Sequence, residues 1–335
     1  MTRPLKAALI GSGMIADTHL AAMQGAGIVP VGIYSLDKAS AARYAEAHHM
    51  AHYDSIEDLL AGEADLAAVC TPSGTHTELA VSLMEHGKHA VVEKPVILTG
   101  EAGEQLLAAE KRTGKICAPI SQLRFSETYR AVKGAVERGE FGKLVLGLLS
   151  MKYYRSEAYF AGSWRGTKAM DGGGALMNQG IHGVDMLCGL LGYPEKICGH
   201  AATLHHEIEV EDTAAASLVF PGGTLGVIDA STAVRHAKPR RLELCGTAAS
   251  VVMEEDILVS AEGISLTGGQ KSAIHSWEKP ADISADLHTA QYKNICAAIR
   301  GEEPLYYTAG EAVDTVKVIL GIYESSQTGK TVFFR

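Results

Sequence analysis

The chain has 335 residues, enough for about two domains of roughly 150 residues, each large enough to bury its own core. Thirty Lys and Arg against 39 Asp and Glu leave a net charge of −9, which disfavours a nucleic-acid partner, because phosphate-backbone binders need clustered cations. At 47% hydrophobic and 21% charged residues, the composition lies outside the range of intrinsic disorder.

Residues 1–10, MTRPLKAALI, combine basic character with a short apolar run, yet they lead into Gly-x-Gly rather than a small-residue cleavage site. No apolar stretch reaches the roughly 18 residues that a membrane helix needs. Cysteines at 70, 117, 188, 198, 245 and 296 form no C-x-x-C pair, so neither a zinc ribbon nor a disulfide framework is expected. These features predict a soluble cytoplasmic protein in a reducing compartment, with no membrane partner.

Apolar runs at 5–10, 31–34, 65–70, 88–92 and 115–120 alternate with stretches of helical spacing, the pattern of a parallel sheet covered by helices on both faces. Pro30 has no N–H for a ladder, so the second strand is taken to start at Val31. Directly after the first strand comes Gly11-Ser12-Gly13-Met14-Ile15-Ala16, a G-x-G-x-x-A turn that opens the helical stretch 15–24. Gly11 permits the tight turn, Gly13 lets the backbone approach a pyrophosphate, Ala16 allows close helix packing, and the helix N-terminus draws negative charge. A glycine-rich turn without a ligand is the alternative, but the placement between strand and helix favours a dinucleotide site contacted by Gly11, Gly13, Met14 and Ile15. Ser35 occupies the place of the acid that would take the ribose 2′-hydroxyl of NAD, and it is followed by Leu36 rather than the arginine that would suit NADP. NAD and NADP both stay open. Two further segments, Cys70-Thr71-Pro72-Ser73-Gly74-Thr75-His76 and Glu93-Lys94-Pro95, lie at strand ends, where ligands bind in such sheets. Lys94 can present an ammonium to a substrate oxygen, although in a bare E-K-P a solvated lysine in a turn is the commoner case.

In the second half, 143–154, 213–220, 224–230 and 241–245 read as strands, with Pro221-Gly222-Gly223 as a hairpin turn, the pattern of an antiparallel sheet. Helices at 174–191 and 287–300 are expected to cover one face and leave the other for a second subunit. If 174–191 is one helix, Asn178 and His182 share a face one turn apart. Taken alone, a histidine on such an apolar helix is more often a satisfied core residue than a catalytic one.

The combination of G-x-G-x-x-A at 11–16, T-P-x-x-x-H at 71–76 and E-K-P at 93–95 resembles the glucose-fructose oxidoreductase / inositol dehydrogenase (Gfo/Idh/MocA) family. The likeness continues through Ser121-Gln122-Leu123-Arg124-Phe125, Trp164-Arg165-Gly166-Thr167, 171–185 and a closing helix at 309–328. The resemblance implies an α/β protein. Residues 1–121 would form a Rossmann doubly wound parallel sheet. Residues 122–335 would form a substrate-binding α/β domain with an open, largely antiparallel sheet that joins a homodimer or homotetramer.

It further implies NAD or NADP as cofactor, contacted also by Ser35, Thr71, Pro72, His76, Glu93, Lys94 and Gln122. Hydride would pass between the nicotinamide and a secondary alcohol of a sugar, sugar acid, nucleotide-sugar or cyclitol. His182 would act as general acid/base, Lys94 would stabilise the oxyanion and Glu93 would orient Lys94. Many relatives have an aspartate where Asn178 stands, and an amide cannot accept the proton in the same way, which places that duty on His182. Lys152, Arg155, Trp164 and Arg165, with Asn178 and His182, are candidate substrate contacts. The competing readings are an NAD-dependent redox glycosidase and a non-catalytic nucleotide-binding regulator. No metal is expected. His48-His49-x-x-His52 lacks added carboxylates at ligand spacing, and His205-His206-Glu207 with Glu209, Glu211 and Asp212 reads as a solvated acidic edge or loop.

Overall fold

The apolar runs of the first third become a parallel sheet in the computed structural model, which describes residues 3–255, 257–266 and 285–334. Its strands and helices alternate as β1 (Lys6–Ile10), α1 (Ala16–Gly25), β2 (Val29–Tyr34), α2 (Lys38–Ala47), β3 (Ala51–His52), α3 (Ile56–Ala61), β4 (Leu66–Val69), α4 (His76–Glu85), β5 (His89–Val92), α5 (Gly100–Thr113) and β6 (Cys117–Pro119). The order β3-β2-β1-β4-β5-β6, parallel at every pairing, is the doubly wound arrangement, and its chain order reverses between β1 and β4. β4 is buried at every position because helices cover both faces. Pro30 lies inside β2, contrary to the sequence reading. The register with β1 slips between Ala7 and Ala8, opposite Pro30 and Gly32, and β3 pairs with β2 only at Gly32 and Ile33, so no ladder needs the missing N–H.

The remaining elements are α6 (Glu127–Glu137), β7 (Leu144–Tyr154), α7 (Glu157–Phe160), α8 (Ile181–Leu191), β8 (Lys196–Ala202), β9 (Thr213–Val219), β10 (Leu225–Ser231), β11 (Ala233–Gly246), β12 (Ser250–Glu254), β13 (Ile257–Glu262), α9 (Ala285–Ile299), α10 (Ala309–Thr328) and β14 (Val332–Phe333). Eight strands form an open sheet in the order β13-β12-β11-β7-β10-β9-β8-β14. Only β7 and β10 run parallel, so the sheet is mixed and largely antiparallel. Pro221–Gly223 makes the predicted turn between β9 and β10. Along β7 alternate residues Gly147, Leu149, Met151 and Tyr153 are buried, and α8 lies against this face. A Cβ on Gly147 would stand 2.5 Å from Leu191, and one on Gly183 would stand 2.6 Å from Leu149, so glycine sets the closeness of helix and strand on both sides.

The chain divides into two compact units, Met1–Gln122 with Ile283–Val313, and Leu123–Asp282 with Asp314–Arg335. The sequence reading assigned everything after 121 to the second domain, and the helix predicted at 287–300 to its sheet. Instead α9 belongs to the first unit, where Tyr292, Ile295 and Cys296 join the core of the parallel sheet. Gln291 accepts from the Ser121 amide and donates to the Pro119 carbonyl, and Thr289 lies where a Cβ on Gly25 of α1 would be 2.9 Å away. The helix predicted at 174–191 is also altered. Ala175–Gly180 forms a π-type turn, and the α-helix starts at Ile181. No helix among the described residues is long and apolar enough to cross a membrane.

Within the second unit a buried bidentate pair anchors α8: Arg124 Nε and Nη2 each donate to Asp185 at 2.8 Å, and Thr315 of α10 donates to the same carboxylate. Asp185→Ala would leave the guanidinium buried without this carboxylate, a change expected to cost about 3–5 kcal/mol. The urea midpoint should fall accordingly, and Arg124→Met combined with Asp185→Leu should recover much of the loss. An unchanged midpoint in Asp185→Ala would remove the pair from the account of how α8 is held.

Candidate active site

The turn after β1 has the geometry its glycines predict. Gly11 adopts φ 104°, and a Cβ there would be 2.7 Å from the Cys70 carbonyl, so only glycine lets the turn pass this close to the end of β4. Its amide donates to the Tyr34 carbonyl at 2.7 Å, which ties the turn to the end of β2. Nothing lies within 4 Å of a Cβ built on Gly13, and no side chain caps α1, whose Ala16 amide turns back to the Gly13 carbonyl at 2.9 Å, so the turn offers an open cradle at an uncapped helix N-terminus. Gln122 adds a buried side-chain oxygen with no hydrogen-bond partner. An open backbone cradle, helix amides and an unmet acceptor together fit a dinucleotide. Met14 stands 71% exposed beside the cradle. Ser35 is half-buried immediately after β2, whereas the nearby Asp37 is committed to capping α2 through the Ser40 amide at 3.0 Å.

The other two loops of this unit are tied together by His76. Its Nε2 meets the Thr71 carbonyl and its Nδ1 the Pro95 carbonyl, each at 2.8 Å, and the ring is buried. Burial draws this imidazole below its ordinary range, while the two carbonyls oppose the shift. His76, a candidate cofactor contact from the sequence, thus has a carbonyl at each ring nitrogen and lies between the loops that carry Thr71, Pro72 and Lys94. Lys94 is half-buried and precedes a cis peptide to Pro95. Glu93 is buried, accepting from His19 Nε2 at 2.9 Å and from the Lys94 amide at 3.2 Å. Burial alone would raise its pKa, but the hydrogen bond from His19 and the nearby His288 imidazole, 3.9 Å away, outweigh that and hold it well below its ordinary 4.5.

In the second unit the π-type turn places Asn178 and Gln179 just before α8. Asn178 is buried; its amide donates to Asp171, and its oxygen accepts from Gln179 at 3.0 Å. Gln179 also donates to the Tyr159 hydroxyl at 3.0 Å and accepts from Arg155 at 2.6 Å. The Arg155 guanidinium lies 5.7 Å from the Tyr153 ring and 5.4 Å from the Tyr159 ring; that of Arg165 lies 4.8 Å from Tyr159 and 5.0 Å from Trp164. Arg155, Trp164, Arg165 and Asn178 therefore belong to one linked group, which borders the helix carrying the half-buried His182.

Lys152 does not join that group. It sits on the face of β7 opposite to α8, paired with Asp229 at 2.6 Å and with Ser150. The stretch read as a solvated acidic edge is also different, since His206, Glu211 and Asp212 are buried. Asp212 accepts from the amides of Leu204, His205 and His206, whereas Glu211 accepts from the amides of Gly174 and Leu176 and from the Tyr323 hydroxyl. Sequence reasoning gave no role to His19, Asp171, Gln179 or Glu211. The spacing of Asp171 from Asn178 was visible, but a hydrogen bond across a glycine-rich turn has no periodic signature. Among the described residues, the grouping with metal-ligand spacing is His19, Glu93 and His288 rather than either histidine cluster weighed from the sequence.

Two family models match the chain. One, described as an oxidoreductase family with an NAD-binding Rossmann fold (GFO_IDH_MocA), covers residues 5–120, and the GFO/IDH/MocA C-terminal domain covers 129–252. Among similar proteins, scyllo-inositol 2-dehydrogenase (NADP(+)) IolW of Bacillus subtilis (strain 168) is 25% identical over 296 residues, covering 80% of this chain and 78% of that protein. D-glucoside 3-dehydrogenase of Escherichia coli (strain K12) is 23% identical, with 98% and 97% covered. The crystal structure of the WlbA dehydrogenase from Bordetella pertussis with NADH and UDP-GlcNAcA superposes with a TM-score of 0.89 at 26% identity, covering 100% of this chain and 99% of that one.

A carboxylate held below its ordinary pKa stabilises the fold above its unfolded value, and that contribution disappears as pH falls through the folded value. Glu93→Gln should therefore lower stability at neutral pH and flatten the loss of stability below about pH 4.5. Thermal melts from pH 7 to 3 read both effects, and parallel acid limbs in the two proteins would refute the assignment.

Proposed function

The chain belongs to the Gfo/Idh/MocA family of NAD(P)-binding sugar and cyclitol oxidoreductases, and from that premise we propose that its substrate is a sugar carrying an anionic group, a sugar acid or nucleotide-linked hexuronic acid. The observation that carries this reading is the pair of guanidiniums, Arg155 and Arg165, stacked on Tyr159 and joined through Gln179 to Asn178. A neutral polyol needs no such pair, whereas a carboxylate or phosphate is matched by a guanidinium fork. That WlbA holds UDP-GlcNAcA supports the same substrate class.

The nicotinamide supplies the acceptor or donor of the hydride. In oxidation, the substrate hydroxyl proton passes to the imidazole of His182, and the Lys94 ammonium stabilises the negative charge that develops on the oxygen. Asn178 cannot accept that proton, and its amide already donates to Asp171, so it serves substrate orientation. Gly11, Gly13, Met14, Ile15, Ser35, Thr71, Pro72 and Gln122 line the dinucleotide, with NAD or NADP selected around Ser35. Glu93 acts beneath Lys94 rather than on the cofactor. The cytoplasm is part of this reading, on the cysteine spacing that first indicated it.

A homodimer or homotetramer through the open sheet completes the proposal. On the face opposite α8, Leu225 and Val227 are 54% and 40% exposed, and they pair with the half-buried Leu146 and Leu148 of β7. Four neighbouring apolar side chains on one strand pair make a surface that a second copy would cover.

A spectrophotometric screen at 340 nm, with NAD and NADP against UDP-GlcNAcA, scyllo-inositol and methyl glucoside, tests the reaction. Turnover of UDP-GlcNAcA supports the anionic substrate, turnover confined to the neutral sugars overturns it, and aglycone release without absorbance change indicates a redox glycosidase instead. Lys94→Ala and His182→Ala should each lower kcat by about 10²–10⁴-fold with NADH affinity within about threefold. Full activity in either refutes its assigned role. In light scattering, Leu225→Asp combined with Val227→Asp should convert the oligomer to monomer; an unchanged mass would place the contact elsewhere.

A further inference from the structure

Three elements of the first unit converge beneath Lys94. His19 on α1, Tyr292 on α9 and Glu93 at the end of β5 form an unbroken chain: the Tyr292 hydroxyl meets His19 Nδ1 at 2.7 Å, His19 Nε2 meets one Glu93 oxygen at 2.9 Å, and the other Glu93 oxygen accepts from the Lys94 backbone amide at 3.2 Å. A single tautomer satisfies the chain. With Glu93 ionised, His19 donates from Nε2, and Nδ1 accepts the Tyr292 proton. His288 packs edge-on to the His19 ring with centroids 5.7 Å apart. On the far side of the lysine, His76 meets the Pro95 carbonyl, so backbone groups before and after the Lys94–Pro95 bond are both held.

We infer that His19, braced by Tyr292, is a positioning residue for Lys94, acting through the Glu93 carboxylate. The inference rests on the proposed role of Lys94. Burying a histidine, a tyrosine hydroxyl and a carboxylate together is costly where an apolar cluster would pack as well. What the polar chain adds is direction, because Glu93 can hold the Lys94 amide only if its own side chain is fixed, and His19 fixes it. Displacement of a reacting group by about 1 Å can cost on the order of 10²-fold in rate. A metal ion is the competing use of His19, Glu93 and His288. The 2.9 Å contact between His19 and Glu93 is that of a direct hydrogen bond, and His19 Nδ1 is already satisfied by Tyr292.

The test compares the full-length protein with His19→Leu, His19→Gln, Tyr292→Phe and Lys94→Ala, using NAD with UDP-GlcNAcA, scyllo-inositol and methyl glucoside. NADH affinity is read by fluorescence, and amide exchange of the peptide containing Lys94 by mass spectrometry. His19→Leu should lower kcat by about 10–100-fold with KM and NADH affinity within about threefold. His19→Gln keeps a donor near the Nε2 position and should recover most of the loss, which a merely structural role would not predict. Tyr292→Phe should give a smaller fall in kcat, and it carries the test if His19→Leu does not fold.

Normal kcat in His19→Leu or Tyr292→Phe, with Lys94→Ala inactive, overturns the positioning role and leaves the reaction intact. An active Lys94→Ala overturns the reaction reading itself. If the wild type turns over none of the three probes, exchange decides: Lys94 amide exchange at least about tenfold faster in His19→Leu supports the chain, and unchanged exchange overturns it. Stoichiometric zinc, with activity lost to chelator and restored by zinc, would also overturn it.

Discussion

A carboxylate taken out of water must be given donors, and in each unit that requirement organises the polar residues. Glu93 is surrounded in the first unit by His19, the Lys94 amide and, further off, His288. In the second unit Asp185 takes both arms of the Arg124 fork, Asp212 takes three consecutive amides, and Glu211 takes two amides and a tyrosine hydroxyl. Each carboxylate constrains the backbone or helix beside it, because moving the partner would strand a charge in a low-dielectric interior. Groups assigned to chemistry sit next to these fixed points: Lys94 follows Glu93, and His182 stands one turn before Asp185. These restraints thus lie one residue away from Lys94 and one turn away from His182, both half-buried.

Glu211 illustrates how such a restraint shapes a helix start. Burial raises its pKa, yet the amides of Gly174 and Leu176 and the Tyr323 hydroxyl pull the other way. A Cβ on Gly174 would lie 1.9 Å from the Glu211 carbonyl, so glycine is the residue that allows the chain to approach this closely. The turn that follows winds as a π-type segment before α8 becomes regular, a local widening often found at functional sites. It carries Asn178 and Gln179 toward Asp171, Tyr159 and Arg155, in a linked polar group just before the helix of His182.

Much of the parallel sheet was legible because a strand buried on both faces must be apolar at successive positions, as β4 is throughout and β5 is from Ala90 to Val92. Glycine chemistry was legible for a similar reason, since the turn at Gly11 can be built in few ways. The second sheet was less so: β8, β12, β13 and β14 were absent from the reading, and β11 runs well past the predicted 241–245. Half-exposed strands carry weaker composition signals, and β11 includes register shifts that break the alternation. The covering helices show another limit. Amphipathic spacing announces that α9 has an apolar face, but not which sheet it meets; Thr289 against Gly25, and Gln291 against Pro119 and Ser121, settle that in favour of the first unit.

The same distinction separates what was readable in the site from what was not. Residue type and placement at strand ends indicated His76, Glu93 and Lys94 as functional, because those positions in a doubly wound sheet meet ligands. The tasks of His76 and Glu93 depend on partners elsewhere in the chain: His76 has a carbonyl at each ring nitrogen, and Glu93 meets a histidine 74 residues earlier. Lys152 shows the converse, since strand parity alone puts it on the face away from α8, where it pairs with Asp229. Motifs therefore identify where chemistry can occur, while the hydrogen-bond commitments of each side chain decide which residues are still available to perform it.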